Sequence, residues 1–428
     1  MATAMRGRCS KNYVCRLPAQ PGTAEREEWY SDFGDTQRPK FDVRWQPIDQ
    51  SLTLRAAYIE AFHAPSLGEL FSGTSQSFPN VKDTGCILGT NKCGTEPQVE
   101  QHFQGNPALT PEIAYEWTGG AVLTPGKWWA PLQGLTLSAD FIYIDLREYT
   151  TTLDAQTLIN NEATFKDQVI RRDGPGTASP IILLLSPFQN LGGLQIRAWD
   201  FEVVEIFDTA RLGHGDWGTF TAAWNETYMQ DVDIQLTPGT EFHNVVGKFG
   251  GGFQGVNGGG SYTHNRWYAS LFYDGPSGSW LQGVDAGMVV HYIGQYWDNR
   301  DFYPNLHEPG VAQNRKVREW ITVDLVLNYT FNLPPPAAQS EVAGYSKDGG
   351  KNVKMKDGKE KNVMPVSTAE YNPCGWRAWL NNTTLTLGVD NIADLEPPFV
   401  AASFENGYDE STANPKGRFW FVGIKKRF

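Results

Sequence analysis

Apolar and polar residues alternate along several long segments of the chain. In residues 319–331 the odd-numbered positions from 321 onward are apolar: Ile321, Val323, Leu325, Leu327, Tyr329 and Phe331. The even-numbered positions, which we call the opposite parity, include Thr322, Asp324 and Asn328. The alternation recurs in residues 51–62, 134–146, 194–207, 216–229, 266–273, 284–292 and 383–391. A period of two predicts β-strands, and these segments exceed the roughly five or six residues usual for a soluble sandwich.

The pattern predicts eleven full strands and a remnant of a twelfth at residues 25–33. The eleven are 38–46, 51–62, 112–124, 134–149, 193–207, 216–229, 262–273, 284–296, 319–331, 376–391 and 416–428. Short connections (47–50, 125–133, 208–215, 274–283) alternate with long ones (63–111, 150–192, 230–261, 297–318, 392–415). Bacterial outer-membrane barrels have short periplasmic turns and long extracellular loops. The fold class is therefore all-β, with the antiparallel transmembrane β-barrel as the expected architecture.

The last segment, residues 416–428, is rich in aromatic and β-branched residues and ends on Phe428. Trp420, Val422 and Ile424 share the parity of Phe428. A terminal strand with a terminal aromatic resembles the closing strand of an outer-membrane barrel. Lys426 departs from that pattern, and a buried edge strand of a soluble sheet is the alternative.

The barrel hypothesis assigns an outer and an inner face. Leu325 and Leu327 should point outward and Asp324 inward. Arg55, in mid-strand, is costly against lipid but suits a wet lumen. Three further acidic residues, Asp140, Asp200 and Glu202, fall on inner parities. They are expected to be polar residues of the lumen wall rather than an acid/base pair.

Composition narrows the class further. The 428-residue chain has a formal net charge of -12, which argues against a nucleic-acid partner. Mean hydropathy is -0.42, and no apolar run is long enough for a transmembrane helix. Residues 1–24 contain no apolar stretch of the signal-peptide kind, so this segment is unassigned and expected to be disordered.

Residues 332–375 interrupt the alternation of loop lengths. The segment starts with Leu333 and three prolines and continues rich in lysine, glycine and aspartate. This composition predicts a mobile insertion, and loop parity puts it on the periplasmic side.

Five cysteines are present. Cys86 and Cys93 lie close together in a stretch rich in glycine and threonine, so they form a disulfide if the protein is exported, or stay as two free thiols. Cys9, Cys15 and Cys374 have no evident partners.

Candidate chemistry is sparse. The seven histidines are scattered without metal-ligand spacing. Gly250 to Gly255 matches G-x-G-x-x-G, but further glycines follow instead of a helix, so a flexible loop is expected. Neither an enzyme nor a cofactor is predicted. The long loops carry aromatic and charged residues that suit either ligand capture or packing between loops: Phe71, Phe78, Phe103, Arg171, Arg172, Trp297, Arg300, Phe302, Tyr303, Phe404 and Tyr408.

Nine stretches, taken in order, resemble the barrel of TonB-dependent receptors. They are Tyr30 to Gly34, Arg38 to Lys40, Val43 to Pro47, Leu54 to Tyr58, Ala61 to Phe71, Asn106 to Glu112, Asp140 to Asp145, Gly388 to Pro398 and Gly417 to Phe428. The resemblance covers residues 25–428. It implies energised uptake of a scarce ligand (a ferric chelate, cobalamin or a glycan) across the outer membrane of a Gram-negative-type bacterium.

The resemblance also implies partners. Large transporters of this family have about 22 strands around a plug. Plug, TonB box and signal peptide are missing from this chain, so it is expected to be the C-terminal half of a receptor. Its partners are then the outer-membrane lipid, the missing N-terminal barrel half with the plug, and the TonB complex through that plug.

Two other classes stay open. A small autonomous barrel of about twelve strands acts as a porin or adhesin. The second alternative is that the chain is a soluble extended β-sheet that serves as a binding module.

Overall fold

The structure is a computed structural model. It describes residues 19–30, 34–83, 86, 97–213, 215–235, 240–249, 261–298, 315–331, 352–354, 360–362, 380–400, 403 and 407–427.

One large antiparallel sheet dominates the fold. Its twelve long strands follow one another in chain order, and each pairs with its sequence neighbours. They are β1 (Gln20–Tyr30), β2 (Gly34–Trp45), β3 (Leu52–His63), β4 (Glu112–Leu123), β5 (Leu135–Arg147), β6 (Gly193–Asp208), β7 (Thr219–Gln235), β8 (Asn265–Asp274), β9 (Val284–Ile293), β10 (Trp320–Phe331), β11 (Thr383–Asp390) and β12 (Phe419–Lys426). A two-residue strand, His243–Asn244, adds to β7. This meander is the predicted all-β architecture.

The first strand is longer than the sequence predicts. β1 starts at Gln20 instead of residue 25 and pairs with β2 along its whole length. The predicted boundary between an unassigned segment and the barrel therefore falls inside a strand. The run of charged residues from Glu25 to Glu28 obscures the alternation here, because both faces of the strand carry charge.

The two faces of the sheet differ as expected for a barrel wall. Leu327 lies opposite Leu387, which lies opposite Val422 on the last strand. This apolar row is open to the surroundings, with Leu327 48% and Val422 77% exposed. Asp324 lies on the other face, where its carboxylate contacts His291. The predicted directions of the 319–331 segment are thus confirmed.

Glycine and aromatic residues pair on the inner face. A Cβ atom on Gly388 would lie 2.1 Å from the ring of Phe421, which is its direct partner on β12. Phe272 covers Gly287 in the same way, at 2.5 Å. Each aromatic ring fills the space that the missing side chain leaves, and so pins the register of the strand pair.

From the β2–β3 turn to the β9–β10 connection, short and long connections alternate as predicted, whereas β1 and β2 are joined at the long-loop end by only three residues, 31–33. The short connections at one end of the sheet contain the 3₁₀ turns Pro125–Lys127, Ala130–Leu132 and Thr209–Leu212. The long ones at the other end contain helices α1 (Leu67–Phe71) and α2 (Ala155–Asn160) and short strands. Those strands are Ser75–Ser77, Gln101–Gln104, Val169–Arg171 and Ile181–Pro187, with the pairs Thr150–Thr151/Gln189–Asn190 and Tyr296–Trp297/Lys316–Val317.

Only a small part of the 332–375 segment is described. It contains a hairpin of Asn352–Lys354 and Glu360–Asn362. The predicted mobility of the insertion otherwise falls outside the described residues.

The sheet has two open edges. Within the described residues, β1 pairs only with β2 and β12 only with β11, so the wall does not close on itself. No helix in the described part is both long and apolar enough to cross a membrane.

Candidate functional site

A salt bridge spans three strands on the inner face. Arg55 on β3 contacts Asp140 on β5, with 2.6 Å between Nη2 and Oδ2 and 2.7 Å between Nε and Oδ1. Gly120 on β4 lies between them, and a Cβ there would be 1.9 Å from Asp140 Oδ1. Only glycine leaves the gap through which the two side chains meet, so the wet-lumen role predicted for Arg55 has a specific partner.

The inner face continues as a polar wall around a cavity of about 1270 Å³. Asp140, Asp200 and Glu202, the three acidic residues predicted to face the lumen, all line it. Thr227 donates to Asp200 at 2.7 Å, and Asp324 contacts His291, which also lines the cavity, at 3.0 Å. Asp200 and Asp324 are thus hydrogen-bonded to neighbouring side chains of the lumen wall.

At the loop end of the sheet, residues 64–111 and 148–192 fold together into what we call the loop module. Its described part is held by a four-stranded sheet with one parallel pair, between Gln101–Gln104 and Ile181–Pro187. Its apolar core consists of Val81, Val99, Leu153, Ala155, Leu158, Ile159, Phe165, Val169, Leu184 and Leu191. The largest described apolar cluster thus lies in the loops, because the two faces of the sheet turn to lumen and surroundings.

Arg171 is buried at the centre of the loop module. It contacts both carboxylate oxygens of Asp83 (2.7 and 3.0 Å) and both of Glu162 (2.8 and 2.7 Å), and donates to the Ser179 carbonyl at 2.7 Å. All five guanidinium N–H groups are therefore used. The bonds to Glu162 and Asp83 raise the pKa of Arg171 above its ordinary value. Of the two uses open for this arginine, loop packing is the one the structure shows.

A second cavity, of about 710 Å³, lies where the loop module meets the ends of β3 and β4. We call it the vestibule cavity. Glu112 anchors its floor: one carboxylate oxygen accepts from the backbone N–H of Thr150 at 2.6 Å, and the other contacts Nδ1 of His63 at 3.2 Å. Because the carboxylate accepts, the His63 proton lies on Nδ1. Tyr149 also lines the cavity, and burial raises its pKa.

A second set of loops is tied together beyond β8 to β12. Tyr296 donates to the buried carboxylate of Asp409 at 3.0 Å and packs with Val317 and Val400. Burial raises the pKa of Tyr296 above its ordinary value. The Arg315 guanidinium lies 4.4 Å from the ring centre of Phe399. Loop packing again explains most of the polar and aromatic contacts.

Besides the buried Arg171, the aromatic and charged residues singled out in the loops fall into four groups. Phe71, Phe78 and Arg172 are exposed, and Phe103 lines the vestibule cavity. Trp297 and Tyr408 are partly buried. Arg300, Phe302, Tyr303 and Phe404 lie outside the described residues.

Cys86 is buried and disulfide-bonded. Its proposed partner Cys93 lies outside the described residues, so the pairing itself stays a prediction. In the described part, no group of three or more His, Cys, Asp or Glu side chains is arranged to hold a metal ion.

Exposed tryptophans mark the short-turn end of the sheet. Trp128, Trp129 and Trp217 are exposed, and Trp280 is 83% exposed. Indole rings concentrate at membrane–water interfaces, where an apolar ring with one N–H donor is favoured. The strand pattern did not reveal these residues because they lie in turns, where parity carries no information.

The comparisons with known proteins agree with this geometry. Residues 23–392 match the family described as "TonB dependent receptor-like, beta-barrel". No curated protein matches the sequence.

Solved structures show the same fold. The siderophore receptor PirA from Acinetobacter baumannii is 13% identical with a TM-score of 0.52, over 96% of this chain and 43% of its own. A mutant of the ferric enterobactin receptor PfeA from Pseudomonas aeruginosa is 14% identical with a TM-score of 0.53, over 95% of this chain and 42% of its own. This chain thus spans less than half the length of either receptor. It belongs to the TonB-dependent receptor β-barrels, a family of outer-membrane receptors and transporters.

Proposed function

We propose that this chain forms the C-terminal wall of an outer-membrane receptor that takes up a scarce ligand with energy delivered through TonB. The observation that carries the proposal is the two-sided sheet. Its outer face exposes Leu327, Leu387 and Val422, and its inner face carries the Arg55–Asp140 bridge. Lipid favours the first set, and a water-filled lumen favours the second.

The open edges indicate a need for further strands. Backbone groups along the free sides of β1 and β12 have no partner within the described sheet, and lipid cannot satisfy them. We propose that another segment supplies the remaining strands, the plug and the TonB box. TonB would then contact the receptor through the plug, outside this chain.

The usual arrangement of outer-membrane barrels supports our proposal for the two ends. We propose that the short turns and residues 332–375 lie on the periplasmic side, and that the loop module and the vestibule cavity face the exterior, where ligand is captured. Ferric chelates, cobalamin and glycans are the ligand classes considered, and the structural neighbours include a siderophore receptor.

Edge cross-linking tests the proposal. Cysteines at Thr23 on β1 and Val422 on β12 should not form a disulfide in the assembled receptor, since each edge pairs with a different strand. The chain expressed alone should aggregate or fail to insert, and uptake by the assembled receptor should be lost without TonB. A Thr23–Val422 cross-link in a heat-modifiable, detergent-folded chain would instead establish the small autonomous barrel. Partition of the folded chain into water would establish the soluble module.

A further inference from the structure

Three polar groups in the vestibule cavity make no hydrogen bond to the described part of the protein. Nδ1 of His63 is engaged by Glu112, which leaves Nε2 of this exposed side chain open to a ligand. The Tyr149 hydroxyl and the Gln104 side-chain amide line the same cavity. Neither makes a hydrogen bond to any described residue. Such groups fix the orientation of a ligand when one is bound.

The charge of the cavity excludes one class of ligand. None of the described residues that line the cavity is a lysine or an arginine, whereas two glutamates, Glu69 and Glu112, line it. Glu69 accepts from the Ser66 backbone N–H at 2.6 Å, so its carboxylate is held in place by the α1 capping box. An anionic ligand would meet like charge with no lysine or arginine among these residues to compensate, which disfavours its binding.

The shape and the apolar lining indicate what does fit. The volume of about 710 Å³ lies within the range of about 300–1,000 Å³ that is usual for ligand sites. Two phenylalanines, Phe103 and Phe188, line the cavity. Sugar rings offer apolar C–H faces to aromatic side chains, and their hydroxyls donate to His63 and exchange hydrogen bonds with Gln104 and Tyr149.

We infer that the vestibule cavity binds a neutral, hydroxyl-rich ligand of the oligosaccharide class. The inference rests on the proposed function, because it assigns the ligand of the same receptor. It departs from the ferric enterobactin named for the structural neighbour PfeA.

The test uses the assembled receptor that contains this chain, purified in detergent. Its binding is measured against a panel of neutral oligosaccharides, the same sugars carrying uronic acids, and ferric enterobactin. We expect binding of neutral members only. Tyr149→Phe should weaken it about 3- to 10-fold, the loss of one neutral hydrogen bond. Tyr143→Phe, on the outer face, is the matched control and should change nothing.

Adding a positive charge to the cavity gives a second test. Gln104→Lys places a cation in the cavity and should shift preference from neutral to anionic members of the panel. The inference is overturned by preferred binding of uronates or ferric enterobactin to the unaltered receptor. It is overturned equally if no panel member binds, or if Tyr149→Phe and Gln104→Lys leave binding unchanged. Outer-membrane insertion of the assembled receptor is scored first and without ligand, so failure of the receptor proposal is seen separately.

Discussion

Arg55 and Asp140 are bonded to each other although strand β4 separates their own strands. The contact exists because Gly120 has no side chain, since a Cβ at that position would lie 1.9 Å from the Asp140 carboxylate. Gly120→Ala should therefore break the bridge, after which Arg55 and Asp140 keep their weaker contacts with Ser138 but lose each other. We expect the barrel to lose about 1–3 kcal/mol of unfolding free energy.

Gly119→Ala is the matched control, because a Cβ there has no neighbour within 4 Å. Urea unfolding of the receptor in detergent, followed by tryptophan fluorescence, measures both variants. Equal midpoints for the two variants would show that the Gly120 gap has no energetic role.

Adjacent residues on β10 test the two faces. Leu327 points to the outer face and Asn328 to the lumen, where it accepts from Thr386 at 2.7 Å. Leu327→Arg should destabilise the receptor by about 2–4 kcal/mol if the position is near the middle of the bilayer. Asn328→Arg should cost well under half as much, because its charge stays hydrated. Unfolding in lipid vesicles compares them, and the reverse order would invert the sheet relative to the membrane.

The buried ion cluster of the loop module gives a third prediction. Arg171→Ala leaves the buried Asp83 and the partly buried Glu162 without their cation, which costs about 3–5 kcal/mol. The loss should be local, because the strands of the barrel do not contribute to the cluster. Limited proteolysis should then cut the module while the barrel fragment stays folded.

Arg172→Ala provides the comparison, since this neighbouring arginine is exposed. Its cleavage pattern should match that of the unaltered receptor. Resistance of Arg171→Ala to protease would mean that the apolar core alone holds the module together.

The barrel strands were predictable because each one buries no core of its own and must present one apolar and one polar face. This requirement places apolar residues at every second position of the sequence, as at Leu325 and Leu327. β1 was predicted only as a remnant at residues 25–33, because residues 25–28 are all charged and show no alternation. The Arg171 cluster could not be predicted for a different reason. Asp83 is 88 residues away from Arg171 in the sequence, and only the folding of two loops together brings the pair into contact.

The candidate site was likewise predictable only where it depends on the local pattern of residues. Parity alone indicated that Asp140 and Asp200 face the lumen. The vestibule cavity depends on the register of β3 against β4, which places His63 opposite Glu112. It also depends on the loop module above them, and neither can be obtained from the local pattern of residues.

Acid should stabilise the start of helix α2. Asp154 caps this helix, accepting from the Thr157 backbone N–H at 2.9 Å, and burial raises the pKa of its carboxyl above 3.8. A group whose pKa is higher in the folded state binds its proton more tightly there. The resulting stability is full below the unfolded pKa and is lost as pH rises through the folded one.

Asp154→Asn removes this charge and keeps a good cap. It should therefore protect the amides of residues 155–160 from hydrogen exchange at neutral pH and flatten the pH dependence. Asp154→Ala should instead weaken the helix by about 1 kcal/mol, through loss of the cap. A stronger pH dependence in Asp154→Asn would show that another group titrates.

Membrane sidedness can be tested with single cysteines on intact cells carrying the assembled receptor. Loop parity puts residue 351 on the periplasmic side and Arg172, in the loop module, outside. A membrane-impermeant thiol reagent should label Arg172→Cys and spare Lys351→Cys in a background without Cys9, Cys15 and Cys374. The background receptor is the blank, in which Cys86 is already disulfide-bonded. Strong labelling at position 351 with none at 172 would invert the barrel, and would place the vestibule cavity on the periplasmic side.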